Sequence, residues 1–537
     1  MEENPNQNTQ TPESTYSQRF ADFGKILRIE RTSWKFTLLT GFVITLASIF
    51  YVQYTMALWG VYGFSFDDSW IHVQYARTIF EGRPWEYAWG IPSTGSSGPL
   101  WSLVLSPIFI IGYEHDTVVT AVLVIAAVFY FFDVFLVGEI VRQHTERWQY
   151  VILGQIIFVL VPRNAGLMLS GMETPLGMFF LLLALLVLPR PEKKYDLVLG
   201  LVAGFAYLCR PEFVLLAVVC LPVRSIIVLY KEKLKKERVL TVVAMFALAA
   251  IVVLPWVLYC YNTTGLPLPD SYYSKMRWGV TQDAIDIWDF FWFQAWLPSE
   301  PYLILGFVGG LALLVLKRRP YEFILAVCLF ALYRLTMPGM ALLFAARYLV
   351  PLFDVLSIAF TCGIALLLER IIRIDSSKKP LLLVEYRTLM VIAFILLLFM
   401  PSIVSNEWYT NVHANQTKNI EEMQVHLSMW IRDNVPDDAV IATYDVGALG
   451  FFARGIVLDQ YGLVTPLLLH NFTTLIEQVA YLRNMNCSYI MYYVEWFVYL
   501  GNTIQAVGGS YTELYRVHLD DNVVCGTDNM AVYQITW

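Results

Sequence analysis

Apolar residues form long runs from residue 36 to about 404, and short polar segments separate these runs. A helix that crosses the hydrocarbon core of a bilayer needs roughly 20 predominantly apolar residues, and several runs approach that length. The pattern therefore predicts a mainly α, polytopic membrane region with about eleven transmembrane helices. The predicted spans are 36–59, 117–141, 149–163, 172–189, 196–209, 213–230, 239–261, 302–316, 321–336, 345–369 and 381–404.

The composition agrees with a membrane protein. Hydrophobic residues make up 57% of the 537 residues and charged residues only 15%, whereas soluble domains contain about 25% charged residues. The net charge of −7 comes without a basic stripe, so the sequence predicts no nucleic-acid partner. Residues 1–35 precede the first span, and we expect a disordered cytoplasmic tail there.

Clusters of Lys and Arg between the runs predict the orientation, because cytoplasmic loops carry an excess of these residues. An eleven-span topology places every such cluster, including Arg224 with KEKLKKER, on the cytoplasmic side of the cell membrane. It requires that 99–112 does not cross the membrane and that the chain turns outside at Arg210. A rival topology lets 99–112 cross and fuses 197–222 into one span. In the eleven-span topology, the outer segments are 60–116, 262–301, 334–347 and the tail from 405.

The composition changes at residue 405, so we predict a transmembrane region over 36–404 and an extracytoplasmic α/β domain over 405–537. Helices are predicted over 417–434 and 473–485, and alternating or β-branched and aromatic segments predict strands. Cys487 and Cys525 lie in this domain, where an oxidising compartment would allow a disulfide. The predicted strands lie in AVIATY, GIVLDQYGLV, CSYIMYYV, YTELYRVHL and NMAVYQITW.

Two adjacent acids, Asp67 and Asp68, lie in the first outer segment between apolar runs. A carboxylate at a membrane is costly unless it is hydrated, paired or ligated. One interpretation is a helix N-cap, which explains one aspartate better than two. The other is a general base, or a carboxylate pair that binds a divalent cation such as Mg²⁺ or Mn²⁺. On a helix, His72 would fall one turn after Asp68 and could orient it.

Seven short motifs extend this interpretation along the chain. In this order they resemble the GT-C superfamily glycosyltransferases that use a polyprenyl-phosphate sugar, and most closely the bacterial terminal arabinofuranosyltransferase-like membrane proteins. The resemblance covers about residues 36 to 470. The motifs are DDSWIHVQYARTIFEGRPWEY, GIPSTGSSGPLWSLVLSP, SGMETPL, RPEF, PDSYYSKMRWG, ARYLVPLF and VLDQYGLVTP.

The resemblance implies an integral membrane enzyme with the GT-C fold and an outward-facing cavity. An acidic residue of the first outer loop deprotonates the acceptor hydroxyl, which displaces polyprenyl phosphate from the anomeric carbon with inversion. That residue maps to the Asp67/Asp68 pair, with Asp67 preferred as the base. Some members need a divalent cation, so the pair is also a candidate metal site. The implied partners are a polyprenyl-phosphate sugar donor, a glycan or lipid acceptor and membrane lipids.

Outward-facing cations are candidates to stabilise the phosphate as its negative charge develops. Arg210 and Arg347 are flanked by apolar sequence; the alternative for them is snorkelling or, for Arg210, pairing with Glu212. Lys275 is a further candidate, and Glu173 either lines the site or caps the next helix. The other candidates for donor contacts are His72, Ser96 and Ser97 in a Gly/Ser/Pro-rich segment that could be a plain turn, and Tyr272 and Tyr273, which could mark the membrane interface.

Two other functions stay open at this point. A lipid-linked glycan transporter or flippase would use a similar membrane region, but we find no inverted repeat and few ionisable residues within the spans. A non-catalytic relative that binds glycolipid would not need the Asp67/Asp68 pair and Arg347. The sequence does not identify the sugar, which could be arabinofuranose, another pentose or a hexose.

Overall fold

The computed structural model describes residues 32–145, 147–276, 281–290, 292, 300–316, 319–336, 338–339, 346–376, 393, 395, 397, 399–472 and 474–537. Five described helices are long and apolar enough to cross a membrane, and they are Trp34–Leu58, His115–His144, Pro211–Lys231, Lys236–Thr264 and Arg347–Leu368. Shorter apolar helices cover Pro99–Ile110, Trp148–Leu160, Thr174–Val187 and Leu303–Val315.

Helices form most of the region before residue 400, and a two-stranded ribbon of β1 (Glu86–Ala88) and β2 (Ile91–Pro92) lies in the first outer segment. Short 3-10 turns at Pro211–Phe213 and Arg347–Leu349 interrupt the helical region. The helices are α1 (Trp34–Leu58), α2 (Asp67–Phe80), α3 (Pro99–Leu105), α4 (His115–His144), α5 (Trp148–Leu160), α6 (Asn164–Met168), α7 (Thr174–Val187), α8 (Lys194–Cys209), α9 (Leu221–Lys231), α10 (Lys236–Thr264), α11 (Asp270–Met276), α12 (Gln282–Phe290), α13 (Pro301–Val315), α14 (Tyr321–Thr336) and α15 (Val350–Ser376).

Helices occupy each predicted span from 36–59 through 345–369, whereas most of 381–404 lies outside the described residues. Pro99–Ile110 forms α3 and a 3-10 turn. A helix of that length reaches about 18 Å, well short of the roughly 30 Å hydrocarbon core. Trp148–Leu160 and Thr174–Val187 are nearly as short, so whether 99–112 crosses stays a prediction. The number of crossings and the orientation stay predictions.

The C-terminal region contains a five-stranded sheet in the order β4-β3-β5-β7-β6. Strand β3 pairs in parallel with β4 and β5, and β7 pairs antiparallel with β5 and β6. The strands of this sheet lie within the segments predicted as strands to within one residue; α19 and α21 are additional helices. The elements are α16 (Met400–Ile420), α17 (His426–Asn434), β3 (Val440–Thr443), α18 (Gly447–Phe452), β4 (Ile456–Asp459), α19 (Pro466–His470), α20 (Leu475–Asn484), β5 (Cys487–Tyr493), α21 (Val494–Ala506), β6 (Ser510–His518) and β7 (Asn529–Thr536).

The predicted disulfide between Cys487 and Cys525 is wrong, because both residues are free thiols. Cys487 begins β5 and packs in a hydrophobic cluster with residues of α20 and α21. Cys525 packs in other clusters, and its sulfur lies 3.3 Å from the Nε2 atom of Gln424. The two cysteines therefore belong to different parts of the core.

The C-terminal region packs directly against residues 60–116. Helix α18 contacts α2, and the Trp70 ring lies 5.1 Å from the Phe451 ring and 5.0 Å from the Phe452 ring. The Tyr87 hydroxyl donates a hydrogen bond of 2.8 Å to the carbonyl oxygen of Val446. This aromatic packing holds the two adjacent acids of α2 against the C-terminal region.

Candidate active site

Asp67 is the first residue of α2, and it caps a different helix from its own. Its Oδ2 atom accepts a hydrogen bond of 2.6 Å from the Gly447 amide, and its Oδ1 atom accepts one of 2.8 Å from the Ala448 amide. Both donors are amides at the N-terminus of α18, where unpaired N–H groups favour a carboxylate. The N-cap of α2 itself is Phe66. Asp67 therefore joins the first outer segment to the C-terminal region.

The pKa of Asp67 is raised to about 8, chiefly because its carboxyl group is buried and also because the Asp445 carboxylate is near. The two amide hydrogen bonds oppose this shift, since they favour the ionised form. A carboxyl group with a pKa near neutrality is suited to accept a proton from a substrate hydroxyl.

Asp68 faces a different partner. Its Oδ2 atom pairs with the Arg347 guanidinium, which also donates a 3.0 Å hydrogen bond to the Tyr348 hydroxyl. The Asp68 side chain is 39% exposed, whereas that of Arg347 is 6% exposed. Ala346, which precedes Arg347, has a left-handed φ of 57°. This conformation is strained for a non-glycine residue, and it persists only where surrounding contacts fix the backbone. Such residues cluster at functional sites.

A second set of charged side chains continues from α2 into the helical region. His72 Nε2 lies 3.0 Å from Glu173 Oε2, Arg210 Nε lies 3.4 Å from Glu173 Oε1, and Arg210 Nε lies 2.9 Å from Glu212 Oε1. The expectation that His72 orients Asp68 is therefore wrong, because its ring turns to Glu173 instead. Arg210 does pair with Glu212, which is the predicted alternative to a role in phosphate binding, and it also contacts Glu173.

These side chains surround a cavity of about 300 Å³ between the helical and C-terminal regions, which we call the polar cavity. Its walls combine five acids with two arginines, so both signs of charge face the same space. From the helical region come Asp67, Asp68, His72, Glu173, Arg210 and Arg347, and from the C-terminal region come Gln424, Tyr444, Asp445, Asp459, Tyr461, Tyr493 and Trp496.

A second cavity of about 310 Å³ adjoins the first, and we call it the apolar cavity. The two cavities share the lining residues Ser97, Glu173, Arg210, Ser271 and Tyr348. Residues that line only the apolar cavity include Tyr207, Pro211, Val214, Leu268, Tyr272 and Leu332. An arginine therefore lies where a polar space meets a largely hydrophobic one.

The other residues that are predicted to contact the donor do not all reach the cavities. Ser97 and Tyr272 line the cavities, whereas Ser96 is buried and lines neither of them. Tyr273 packs its ring 5.9 Å from the His470 ring. The side chain of Lys275 lies outside the described residues.

Asp67 and Asp68, the predicted ligands of a divalent cation, each have partners within the protein. Both oxygens of Asp67 accept amide hydrogen bonds, and Asp68 pairs with a guanidinium. Within the described part of the chain, no group of three or more His, Cys, Asp or Glu side chains could hold a metal ion. The divalent cation stays a prediction, and no chemical step below depends on it.

Several residues that line the polar cavity are not among the candidates predicted from the sequence. Gln424, Asp445 and Tyr348 contribute polar groups, and Ser271 lies where the two cavities meet. Tyr348 and Ser271 are in the motifs ARYLVPLF and PDSYYSKMRWG, so position within a motif is a signal for them. Gln424 and Asp445 have no such local signal, because only the packing of the two regions brings them to the cavity.

Comparisons with solved structures show which fold this is. The apo oligosaccharyltransferase of Archaeoglobus fulgidus superimposes with a TM-score of 0.55 and 11% identity over 90% of this chain and 73% of that chain. ArnT from Cupriavidus metallidurans bound to undecaprenyl phosphate gives 0.53 and 11% over 93% of this chain and 97% of that chain. Apo ArnT gives 0.51 and 11% over 98% of both chains.

Sequence comparisons add less. The family described as "Domain of unknown function (DUF8728)" matches residues 415–533. No curated protein matches the chain. The solved relatives are polyprenyl-phosphate-dependent GT-C glycosyltransferases. The predicted resemblance to GT-C proteins is therefore confirmed at the level of the fold, and the closer resemblance to arabinofuranosyltransferases stays a prediction.

Proposed function

We propose that the protein is a membrane glycosyltransferase that moves a sugar from a polyprenyl-phosphate donor to an acceptor hydroxyl on the outer side of the membrane. The observation that carries this proposal is the contact between the polar and apolar cavities at Arg210. A polyprenyl-phosphate sugar has a polar head and a long hydrocarbon chain. A charged cavity joined to a hydrophobic one is complementary to that molecule.

The donor phosphate lies between Arg210 and Arg347 in this proposal. Both guanidiniums line the polar cavity, and both are buried, with 4% and 5% of their surface exposed. Burial strengthens the attraction of a guanidinium for a phosphate, because less water screens the charges. The hydrocarbon chain of the bound donor extends through the apolar cavity, along Tyr207, Val214 and Leu332. The sugar then extends toward Asp67 and Asp68.

The reaction is a single displacement at the anomeric carbon. The acceptor oxygen forms a bond to this carbon while the bond from the carbon to the phosphate oxygen breaks, and both electrons of that bond leave with polyprenyl phosphate. Asp67 takes the proton of the acceptor hydroxyl, because its carboxylate lines the cavity and its pKa is raised. Asp68 positions Arg347, and the arginines stabilise the leaving phosphate.

The test is a transfer assay with the full-length protein in nanodiscs. The donors are polyprenyl-phosphate sugars, starting with arabinofuranose and continuing through other pentoses and hexoses, and the acceptors are arabinotriose, mannotriose and cellotriose. Each pair is tested with added Mg²⁺ or Mn²⁺ and with a chelator. We expect release of polyprenyl phosphate with at least one donor, and loss of this release in the double variant Asp67→Asn/Asp68→Asn. The chelator arm tests the predicted divalent cation.

Two results would contradict the proposal. Release that persists in the double variant would remove both acids from the chemistry. Movement of an intact donor across the bilayer of proteoliposomes, without cleavage, would favour a flippase. A matched control is Asp437→Asn, since Asp437 is an exposed aspartate of the C-terminal region that pairs with Arg454, away from the polar cavity.

A further inference from the structure

The C-terminal wall of the polar cavity is built from aromatic side chains, and neither the fold nor the proposed chemistry at Asp67 accounts for them. Tyr444 follows β3, Tyr461 follows β4, Tyr493 ends β5 and Trp496 lies in the first turn of α21. All four line the cavity, and we call them the aromatic wall. Three separate strand ends therefore supply rings to one surface.

The rings of the aromatic wall touch without stacking on one another. The Tyr444 and Trp496 centroids are 4.9 Å apart with planes at 71°, and Tyr444 and Tyr461 are 5.2 Å apart at 58°. Tyr493 and Trp496 are 4.8 Å apart at 65°. These edge and tilted contacts fix the rings, as aromatic pairs prefer. The rings do not form a closed stack.

The wall is only partly buried. Trp496 is 36% exposed, and Tyr444 and Tyr461 are also partly exposed, whereas Tyr493 is 1% exposed. An ordinary core tryptophan would be covered, as Trp70 and Trp101 are at 0%. Gly526 lies beside the indole, and a Cβ atom there would come within 2.5 Å of Trp496 Cη2. The backbone thus supports one edge of the indole while part of the side chain stays accessible.

Polar groups interleave with the rings. The Asp445 carboxylate accepts a 3.0 Å hydrogen bond from Gln424 Nε2 and another from the Tyr493 hydroxyl, and it retains further lone pairs. Asp459 lines the same surface. Aromatic faces next to fixed carboxylates and an amide match a ligand with apolar C–H faces and a rim of hydroxyl groups. A sugar ring has both of these features.

We propose that the aromatic wall is a carbohydrate subsite that holds the acceptor glycan. The identification of the bound sugar as the acceptor rests on the proposed function. The binding of sugar to the wall does not depend on it. Tyr444 precedes Gly447 by three residues, so their Cα atoms are at most about 11 Å apart, and the Gly447 amide contacts Asp67. A sugar unit on the wall would therefore present a neighbouring hydroxyl close to the proposed base.

Other acceptor classes fit the wall less well. A peptide acceptor usually pairs its backbone with a free strand edge or a groove of amides, whereas the aromatic wall consists of four side chains at three strand ends and on one helix. An anionic acceptor would be repelled by Asp445 and Asp459. A purely lipidic acceptor would bring hydrocarbon against both carboxylates, which is costly because it removes their hydration.

The test measures binding to the full-length protein in nanodiscs with no donor present. The probes are arabinotriose, mannotriose and cellotriose, and an uncharged tripeptide serves as the comparison. Tryptophan fluorescence and calorimetry measure the affinity of each probe. We expect at least one trisaccharide to bind, at least tenfold weaker binding in Trp496→Ala, and most of the affinity kept in Trp496→Phe. The matched control is Tyr499→Ala, since Tyr499 lies on the same helix, is 73% exposed and does not line the cavity.

Three results would overturn the inference: binding of none of the trisaccharides, equal affinity of wild type and Trp496→Ala, or binding of the tripeptide alone. Circular dichroism and thermal unfolding of each variant identify a loss that comes from misfolding, and Trp496→Phe tests the wall if Trp496→Ala does not fold. Trisaccharide binding without any release of polyprenyl phosphate would contradict the proposed function and leave the subsite standing. Release of polyprenyl phosphate without trisaccharide binding would support the proposed function and contradict the subsite.

Discussion

Two clusters of buried arginines and acids lie in different parts of the helical region, and they differ in what surrounds them. In the first, Asp196 Oδ1 lies 2.7 Å from Arg224 Nε and Asp196 Oδ2 lies 3.1 Å from Arg238 Nη1, with all three side chains at 2% exposure or less. We call this the closed cluster. In the second, Asp68 pairs with Arg347, but the aspartate is 39% exposed toward the polar cavity.

The partners of the arginines explain the difference. Arg224 Nη1 donates a 3.1 Å hydrogen bond to the carbonyl oxygen of Leu188, and Arg238 Nη2 donates one of 2.9 Å to that of Pro191. The closed cluster thus fixes the turn between α7 and α8 and leaves no space for a ligand. Arg347 instead adjoins a cavity. The same residue types therefore build structure where they satisfy one another and a site where they border an open space.

The largest expected effect separates the two acids of the site. Asp67→Asn should lower kcat for transfer by about 10²–10⁴, as loss of a general base does. Asp68→Asn should lower it by about tenfold, because Arg347 stays but loses the partner that positions it. Single-turnover release of polyprenyl phosphate measures both values. The reverse order would assign the base to Asp68.

A second prediction concerns the closed cluster. Asp196→Ala should lower the free energy of unfolding by about 3–5 kcal/mol, because it leaves two buried guanidiniums without their carboxylate. The turnover of the protein that remains folded should not change, since Asp196 does not line either cavity. Thermal unfolding in detergent and the specific activity of the folded fraction measure these two quantities.

The control for this prediction is an exposed pair. Asp437 and Arg454 lie 3.3 Å apart with 66% and 60% of their side chains exposed. Asp437→Ala should change the free energy of unfolding by less than about 1 kcal/mol, as exposed ion pairs do. A loss of transfer in folded Asp196→Ala would mean that the closed cluster is coupled to the site.

The comparison also shows what local sequence predicts and what it does not. Apolar runs predict the helices, and alternation with β-branched content predicts the strands, because both signals depend on neighbours in the chain. Arg210 and Arg347 are predicted as candidates because apolar residues flank them, and both line the polar cavity. Arg224, in contrast, is predicted together with the charges of KEKLKKER as part of a cytoplasmic cluster between spans. It is nevertheless buried, with 1% of its surface exposed. Local context alone therefore does not separate a buried structural arginine from a loop charge.

Long-range contacts account for the other differences. The helical spacing of His72 points to Asp68, but tertiary packing turns its ring toward Glu173. The hydrogen bonds from Gly447 and Ala448 to Asp67 join residues about 380 positions apart, and no local pattern encodes them. Helix α21 does have a signal in the spacing of Phe497, Leu500 and Ile504, which are all buried.

A third prediction uses the raised pKa of Asp67. A general base acts only in its ionised form, so the rate should rise with pH and level off above about pH 8. Between pH 7 and pH 9 the ionised fraction of a group with this pKa rises about tenfold. The measurement is kcat/KM over that range, with Asp68→Asn as the comparison. A rate that is already level below about pH 6 would contradict the assignment of Asp67.

The smallest expected effect tests whether Asp67 acts through its proton or through its contact with α18. Asp67→Asn changes both, because an amide nitrogen cannot accept the second hydrogen bond. Gly447→Ala keeps the carboxyl group but disturbs the contact, since its Cβ atom would lie 1.9 Å from the Asp67 carbonyl oxygen and must push α18 away from α2. We expect this variant to lose about threefold to tenfold in transfer, much less than Asp67→Asn.

Gly339→Ala is the matched control for Gly447→Ala, because among the described residues its added methyl group would meet only Ala284 Cβ, at 3.4 Å. It should change neither transfer nor thermal unfolding. If Gly447→Ala abolished transfer as completely as Asp67→Asn while the protein stayed folded, the contact with α18 would account for the whole effect of Asp67. The carboxylate would then serve to close the cavity between the two regions, and Asp68 would be the acid left to accept the proton.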